Sequence, residues 1–124
     1  RKNAETFVSM FRIETPSLAQ QLLNLSGGNR QKVVLSKWLQ VKPKVMLADQ
    51  PTVGLDVGTK MEVYRILREL AKEGLSILTV LTEMEEVLNL PDRILVMREG
   101  GIVRELTAEG LKEDELLRSY FEKV

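Results

Sequence analysis

Two short stretches carry the residue types that handle phosphate esters. "LSGGN" (Leu25 to Asn29) offers the Ser26 hydroxyl, while Gly27 and Gly28 free their backbone N–H groups from side-chain cover. A helix starting immediately after would add the partial positive charge of its N-terminus, so the arrangement suits an anion. The alternative reading is a plain N-cap followed by a flexible Gly pair. "VMLADQP" (Val45 to Pro51) is an apolar strand that delivers one carboxylate, Asp49, at its tip. Such a carboxylate can hold Mg²⁺ through water opposite a nucleotide, but it also suits an Asp capping a turn ahead of Pro51.

A P-loop enzyme also needs G-x-x-x-x-G-K-[ST] to cradle the phosphates. The chain contains none. "GLDVGTK" has two glycines and a lysine, yet Gly54 and Gly58 are too close and Thr59 stands before Lys60, so it cannot form that loop.

The composition narrows the chemistry further. There is no histidine, which removes the commonest general base and metal ligand, and no cysteine, which removes disulfides and thiolate metal sites. Eighteen basic residues balance eighteen acidic ones, so no global field recruits nucleic acid or an anionic membrane. No apolar run approaches the roughly 20 residues needed to cross a bilayer. The start, "RKNAETFVSMF", has neither an initiator Met nor the apolar block of a signal peptide, and is read as the beginning of an excised piece of a longer protein. With 124 residues the chain is sized for one domain or part of one.

The elements that must position these residues follow from periodicity. Residues 1–23 carry weak periodicity, broken at "IETPS", and read as a connector. Val33, Val34, Trp38 and Val41 recur at helical spacing, which predicts a helix from about Asn29 or Arg30 to before Pro43. "KVMLA" reads as a buried strand, and Val57 to Lys72 as an amphipathic helix stopped by Gly74, with Met61, Val63, Tyr64, Ile66, Leu67, Leu70 and Ala71 as its apolar positions. "LSILTVL", "RILVM" and "IVREL" are further strands, the last two joined by "EGG"; "EMEEVLNL" and Glu113 to Glu122 are helices. Strands that alternate with helices and read as continuous apolar runs predict an α/β fold with a mostly parallel, two-sided sheet and flanking helices. In such sheets chemistry sits beyond the carboxyl ends of the strands, where "DQPT" stands.

The order of these motifs from about Thr15 to Leu106 resembles the nucleotide-binding subunit of ABC transporters. In that family's terms "LSGGNRQK" is the signature motif, "VMLADQP" the Walker B strand, "VGLD" (Val53 to Asp56) the D-loop and "LTEMEEV" the switch region. "TPS" ahead of the signature, "GLDVGTK", and a Thr-Glu pair in place of Thr-His are similar to the second cassette of tandem-cassette ATPases that serve monosaccharide importers of the ribose, galactose and xylose type, and related nucleoside importers. The resemblance implies a partial P-loop NTPase fold lacking its Walker A half, with the Walker A loop and Q-loop upstream. It divides the chain into a connector from the helical subdomain (1–23), the C-terminal part of the cassette (24–106) and a C-terminal helical extension (107–124).

The resemblance also assigns roles. Ser26, Gly27 and Gly28 bind the γ-phosphate of ATP held by an opposing cassette, with Asn29 and Gln31 supporting the loop. Asp49 holds Mg²⁺ through water; Gly54, Leu55, Asp56 and Glu83 couple the two sites across the dimer, although Glu83 also reads as an ordinary solvated helix-start residue. The chain departs from the family twice. Gln50 stands where a catalytic Glu belongs and has no basic carboxylate, and Thr82 stands where the switch histidine belongs. General-base help is worth roughly 10²–10⁴ in rate, so this chain's own site is expected to be degenerate while its signature completes the partner's site.

The implied cofactors are ATP and Mg²⁺ in the intact parent. The implied partners are a second cassette, in the same chain or another subunit, and a membrane permease, but no nucleic acid; the location is cytoplasmic, peripheral on the inner face of the plasma membrane. Two other classes compete: the cassette of a soluble, non-transport ATPase, and a nucleotide-independent α/β interaction domain. The chain alone is expected to be inactive as an ATPase. With the P-loop strand missing between "LSILTVL" and "RILVM", it is expected either to self-associate by strand exchange or to rearrange locally as a monomer.

Overall fold

The computed structural model describes residues 2–121, which fall into two compact units that divide between Val80 and Leu81. The expected 24–106 segment crosses that division.

The first unit opens on a helix that the weak periodicity concealed. Ala4, Phe7, Val8 and Phe11 share one face at i, i+3, i+4 and i+7, and helix α1 spans Lys2–Met10 inside the expected connector. The Phe7 and Phe11 ring centroids are 6.1 Å apart. Arg12 ends the helix in the left-handed region (φ 49°), with Ile13 N–H donating to Val8 O at 2.9 Å and Arg12 N–H to Ser9 O at 3.2 Å. These are the two bonds of a Schellman stop. They set Phe11 and Ile13 into the core.

Helix α2 spans Gly27–Leu39, two or three residues earlier than the periodicity indicated, because Ser26 caps it. Its buried face is also a different one. Gly28, Asn29, Lys32, Leu35 and Ser36 turn inward, whereas Trp38 and Val41 of the expected apolar stripe are 58% and 72% exposed. The physical reason is the neighbour. Helix α3, Val57–Lys72, contacts α2, and it brings Thr59 and Glu62 against the Gly28–Lys32 turn, where polar partners and a missing side chain outweigh apolar burial. On α3 itself Val63, Ile66 and Leu67 form the buried stripe, and Met61 and Ala71 do not join it. Its end is a second Schellman stop, at Gly74 (φ 98°), with Leu75 N–H to Leu70 O at 3.0 Å.

Strands β1 (Val45–Asp49) and β2 (Ser76–Val80) pair in parallel, with Leu47 opposite Leu78 and Asp49 opposite Val80. Helix α3 contacts β2. The strands were expected to be buried on both faces. They are not: Met46 is buried, but Val45, Leu47, Leu78 and Val80 on the opposite face are all more than half exposed.

In the second unit, α4 (Met84–Asn89) precedes an antiparallel hairpin of β3 (Arg93–Arg98) and β4 (Gly101–Thr107), then α5 (Glu113–Phe121); the last expected helical residue, Glu122, lies outside the described residues. The hairpin turn places both Glu99 (φ 52°) and Gly100 (φ 82°) in the left-handed region, the two-residue geometry that matches strand twist. Ile94 and Val96 point to the face covered by α5 and build a core with Ala108 and Leu116. The strands therefore form one parallel and one antiparallel pair in two separate sheets, rather than a mostly parallel sheet. No helix among the described residues is long and apolar enough to cross a membrane.

Candidate functional site

The site in the first unit begins with the cap of α2. Ser26 is extended (φ −58°, ψ 159°), and its Oγ accepts the Asn29 N–H at 3.3 Å. The Asn29 side chain donates to the same oxygen at 3.0 Å through Nδ2. Its Oδ1 accepts the Glu14 N–H at 3.0 Å, which ties the segment before Pro16 to the helix start. The first amides of any α-helix lack intrahelical carbonyls, so Gly27 and Gly28 present N–H groups there. Ser26 and Gly27 are exposed.

Gly28 is buried for a steric reason. A Cβ at Gly28 would lie 2.3 Å from Thr59 Cγ2, so only glycine permits this approach of α2 to α3. Thr59 in turn organises Asp56, the N-cap of α3. Asp56 Oδ1 accepts the Thr59 N–H at 3.0 Å and Oδ2 accepts the Thr59 hydroxyl at 2.6 Å. The Thr59 hydroxyl, and then the Thr59 N–H, hold the Asp56 carboxyl below the usual carboxylate range. One turn along α2, Lys32 is 5% exposed. Its Nζ donates to Arg12 O at 3.4 Å and pairs with the Glu62 carboxylate.

These groups surround a polar cleft of about 230 Å³. Of the residues singled out from sequence, Ser26, Gly28, Asn29 and Asp56 line it together. Gly27, Gln31, Gly54 and Leu55 flank these positions without lining it. Asp49 and Gln50 lie apart from it, at the C-terminal end of β1. There Gln50 occupies the left-handed region (φ 44°), an uncommon conformation for a residue with a side chain, and is fixed by Gln50 N–H to Val80 O at 3.1 Å and Val53 N–H to Gln50 O at 3.2 Å. Gly54 (φ 73°) completes the turn into α3. Thr82 and Glu83 belong to the second unit, both exposed, with Glu83 directly ahead of α4.

Sequence reasoning missed Lys32, Thr59 and Glu62. The signal was available, since Gly28, Lys32, Leu35 and Ser36 repeat at i, i+4, i+7 and i+8, but a lysine on that face reads as solvated until its partner is known. A phosphate fits the helix start, which offers a hydroxyl and amides and is open to solvent. A Mg²⁺ ion fits Asp49 only in the mode where one carboxylate is joined by waters and substrate phosphates, because no group of three or more acidic ligands converges among the described residues.

The family described as ABC transporter matches residues 1–53. The chain is 44% identical over 95% of its length to the arabinose import ATP-binding protein AraG of Pseudomonas savastanoi pv. phaseolicola, and 42% identical over 96% to the ribose import ATP-binding protein RbsA of Rhodopirellula baltica. In each case it spans 23% of the relative's own length. Among solved structures, the dimeric ATP-binding cassette MJ0796 bound to ADP and Pi matches with a TM-score of 0.76 and 28% identity, over 89% of this chain and 47% of that one. The α/β architecture thus resembles that of ABC ATPase cassettes, which have the P-loop NTPase fold, over 47% of such a chain.

Proposed function

We propose that this chain, which resembles the ATP-binding subunits of ABC transporters of the sugar-import kind, is the signature-bearing part of such a subunit, working in the import of a monosaccharide. The parent binds ATP with Mg²⁺, pairs with a second cassette and docks on a membrane permease, at the cytoplasmic face. The observation that supports this reading most is the Ser26 helix start, open to solvent and held from behind by Asn29 and the close Gly28–Thr59 packing.

In this reading Ser26, Gly27 and Gly28 bind the γ-phosphate of ATP carried by the opposing cassette. Asp56, which lines the same cleft, and the preceding Gly54–Leu55 turn link the two sites. The chain's own site is degenerate: Gln50 positions a water by hydrogen bonding but takes no proton, and Thr82 offers a hydroxyl in place of an imidazole. Asp49 supplies the single carboxylate for Mg²⁺.

The test uses the complete protein assembled with its permease in vesicles. Ser26→Ala with Gly27→Asp, at a position where an added Cβ meets nothing nearer than 4.0 Å, should nearly abolish both ATP hydrolysis and sugar uptake, whereas Gln50→Glu should raise turnover only modestly, since Thr82 still stands in the switch position. Normal hydrolysis by the signature double variant would show that the working site lies elsewhere.

A further inference from the structure

The hydrogen-bond pattern around Asn29 carries more than support of a loop. A backbone N–H can only donate, so the Asn29 atom facing Glu14 N at 3.0 Å must be the carbonyl Oδ1. That fixes the amide the other way round toward Ser26, with Nδ2 donating to Oγ at 3.0 Å. The Asn29 backbone N–H donates to the same oxygen. Both lone pairs of the hydroxyl are thereby engaged as acceptors. Its own hydrogen is left to point away from α2, on the exposed side of the residue.

We infer that Asn29 is a positioning residue that sets the Ser26 hydroxyl as an outward hydrogen-bond donor, the polarity a phosphate oxygen requires. The inference rests on the proposed phosphate-binding role of Ser26. Asn29 is suited to the task because it is 7% exposed and anchored at both ends of its amide, so it has no freedom to flip. An aspartate has the same shape and would still accept the Glu14 N–H. Its second oxygen, however, cannot donate to Ser26 and would instead draw the hydroxyl hydrogen inward.

Asn29→Asp is therefore the informative change, measured as ATP turnover of the complete protein with and without Ser26→Ala, alongside thermal unfolding of each variant. Asn29→Asp alone is expected to lower turnover roughly tenfold to a hundredfold, the weight of one hydrogen bond to a charged acceptor, while the unfolding temperature stays near that of the parent. In the Ser26→Ala background the same change should cost nothing further, because there is no hydroxyl left to turn. Parental turnover in Asn29→Asp would overturn the inference. So would an equal loss in both backgrounds, which would assign the effect to added charge or to packing. Parental turnover in Ser26→Ala alone would instead overturn the phosphate-binding role on which the inference stands.

Discussion

Asp56 shows how one side chain combines a local duty with a proposed distant one. Its two carboxylate oxygens are taken up by Thr59, one by the backbone and one by the hydroxyl, so the residue caps α3 while lining the cleft. Because these bonds stabilise the ionised form, the folded-state pKa lies below the unfolded value. The sign of the linkage follows: the stabilisation is fully present above the unfolded pKa and is lost as pH falls through the depressed folded pKa. Thermal unfolding followed from about pH 7 down to about pH 3 should show a smaller acid-side loss of stability in Asp56→Ala than in the parent, since the variant has no such carboxylate to protonate. Parallel pH profiles for the two proteins would show that ionisation of Asp56 contributes nothing to stability.

Helices α2 and α3 meet through a face that a hydropathy pattern would assign to solvent. Gly28 removes the steric obstacle, and Lys32 lays its apolar stem inside while its ammonium reaches Glu62 and the Arg12 carbonyl. Losing one partner of a fully buried pair costs about 3–5 kcal/mol, and surface pairs are worth about 0–1 kcal/mol. Glu62 is 46% exposed, so the pair falls between these limits. Lys32→Met should therefore destabilise by about 1–3 kcal/mol in urea denaturation, and adding Glu62→Leu should recover part of the loss by removing the stranded carboxylate. Equal stability of Lys32→Met and the parent would mean that the stem, and not the charge, holds the two helices together.

In the molecule as a whole, the parallel pair β1–β2 leaves Val45, Leu47, Leu78 and Val80 more than half exposed on one face. An open apolar face beside unpaired strand edges invites association. The chain studied alone should therefore self-associate in sedimentation at micromolar concentration, and Leu47→Lys with Leu78→Lys should shift it toward the monomer without loss of helical signal. A monodisperse parent chain under those conditions would contradict this.

Much of the molecule was legible from residue order because its determinants are local. The bounds of α3 follow from the Val63, Ile66 and Leu67 spacing, the Asp56 cap and the Gly74 stop, all within a few residues of one another; the β3–β4 hairpin follows in the same way from "EGG". The Ser26-capped helix start was legible too, since Ser26, Gly27 and Gly28 are adjacent in the chain. Contacts between distant segments were not. That Lys32 is buried, that Trp38 is exposed, and that Glu14, 15 residues before Asn29, holds its amide depend on which elements come to lie side by side, and periodicity within one helix says only that a face will be covered, not by what. The same holds for the sheet, where an apolar run reads identically whether its second face is covered or open, because coverage belongs to the neighbour and not to the strand.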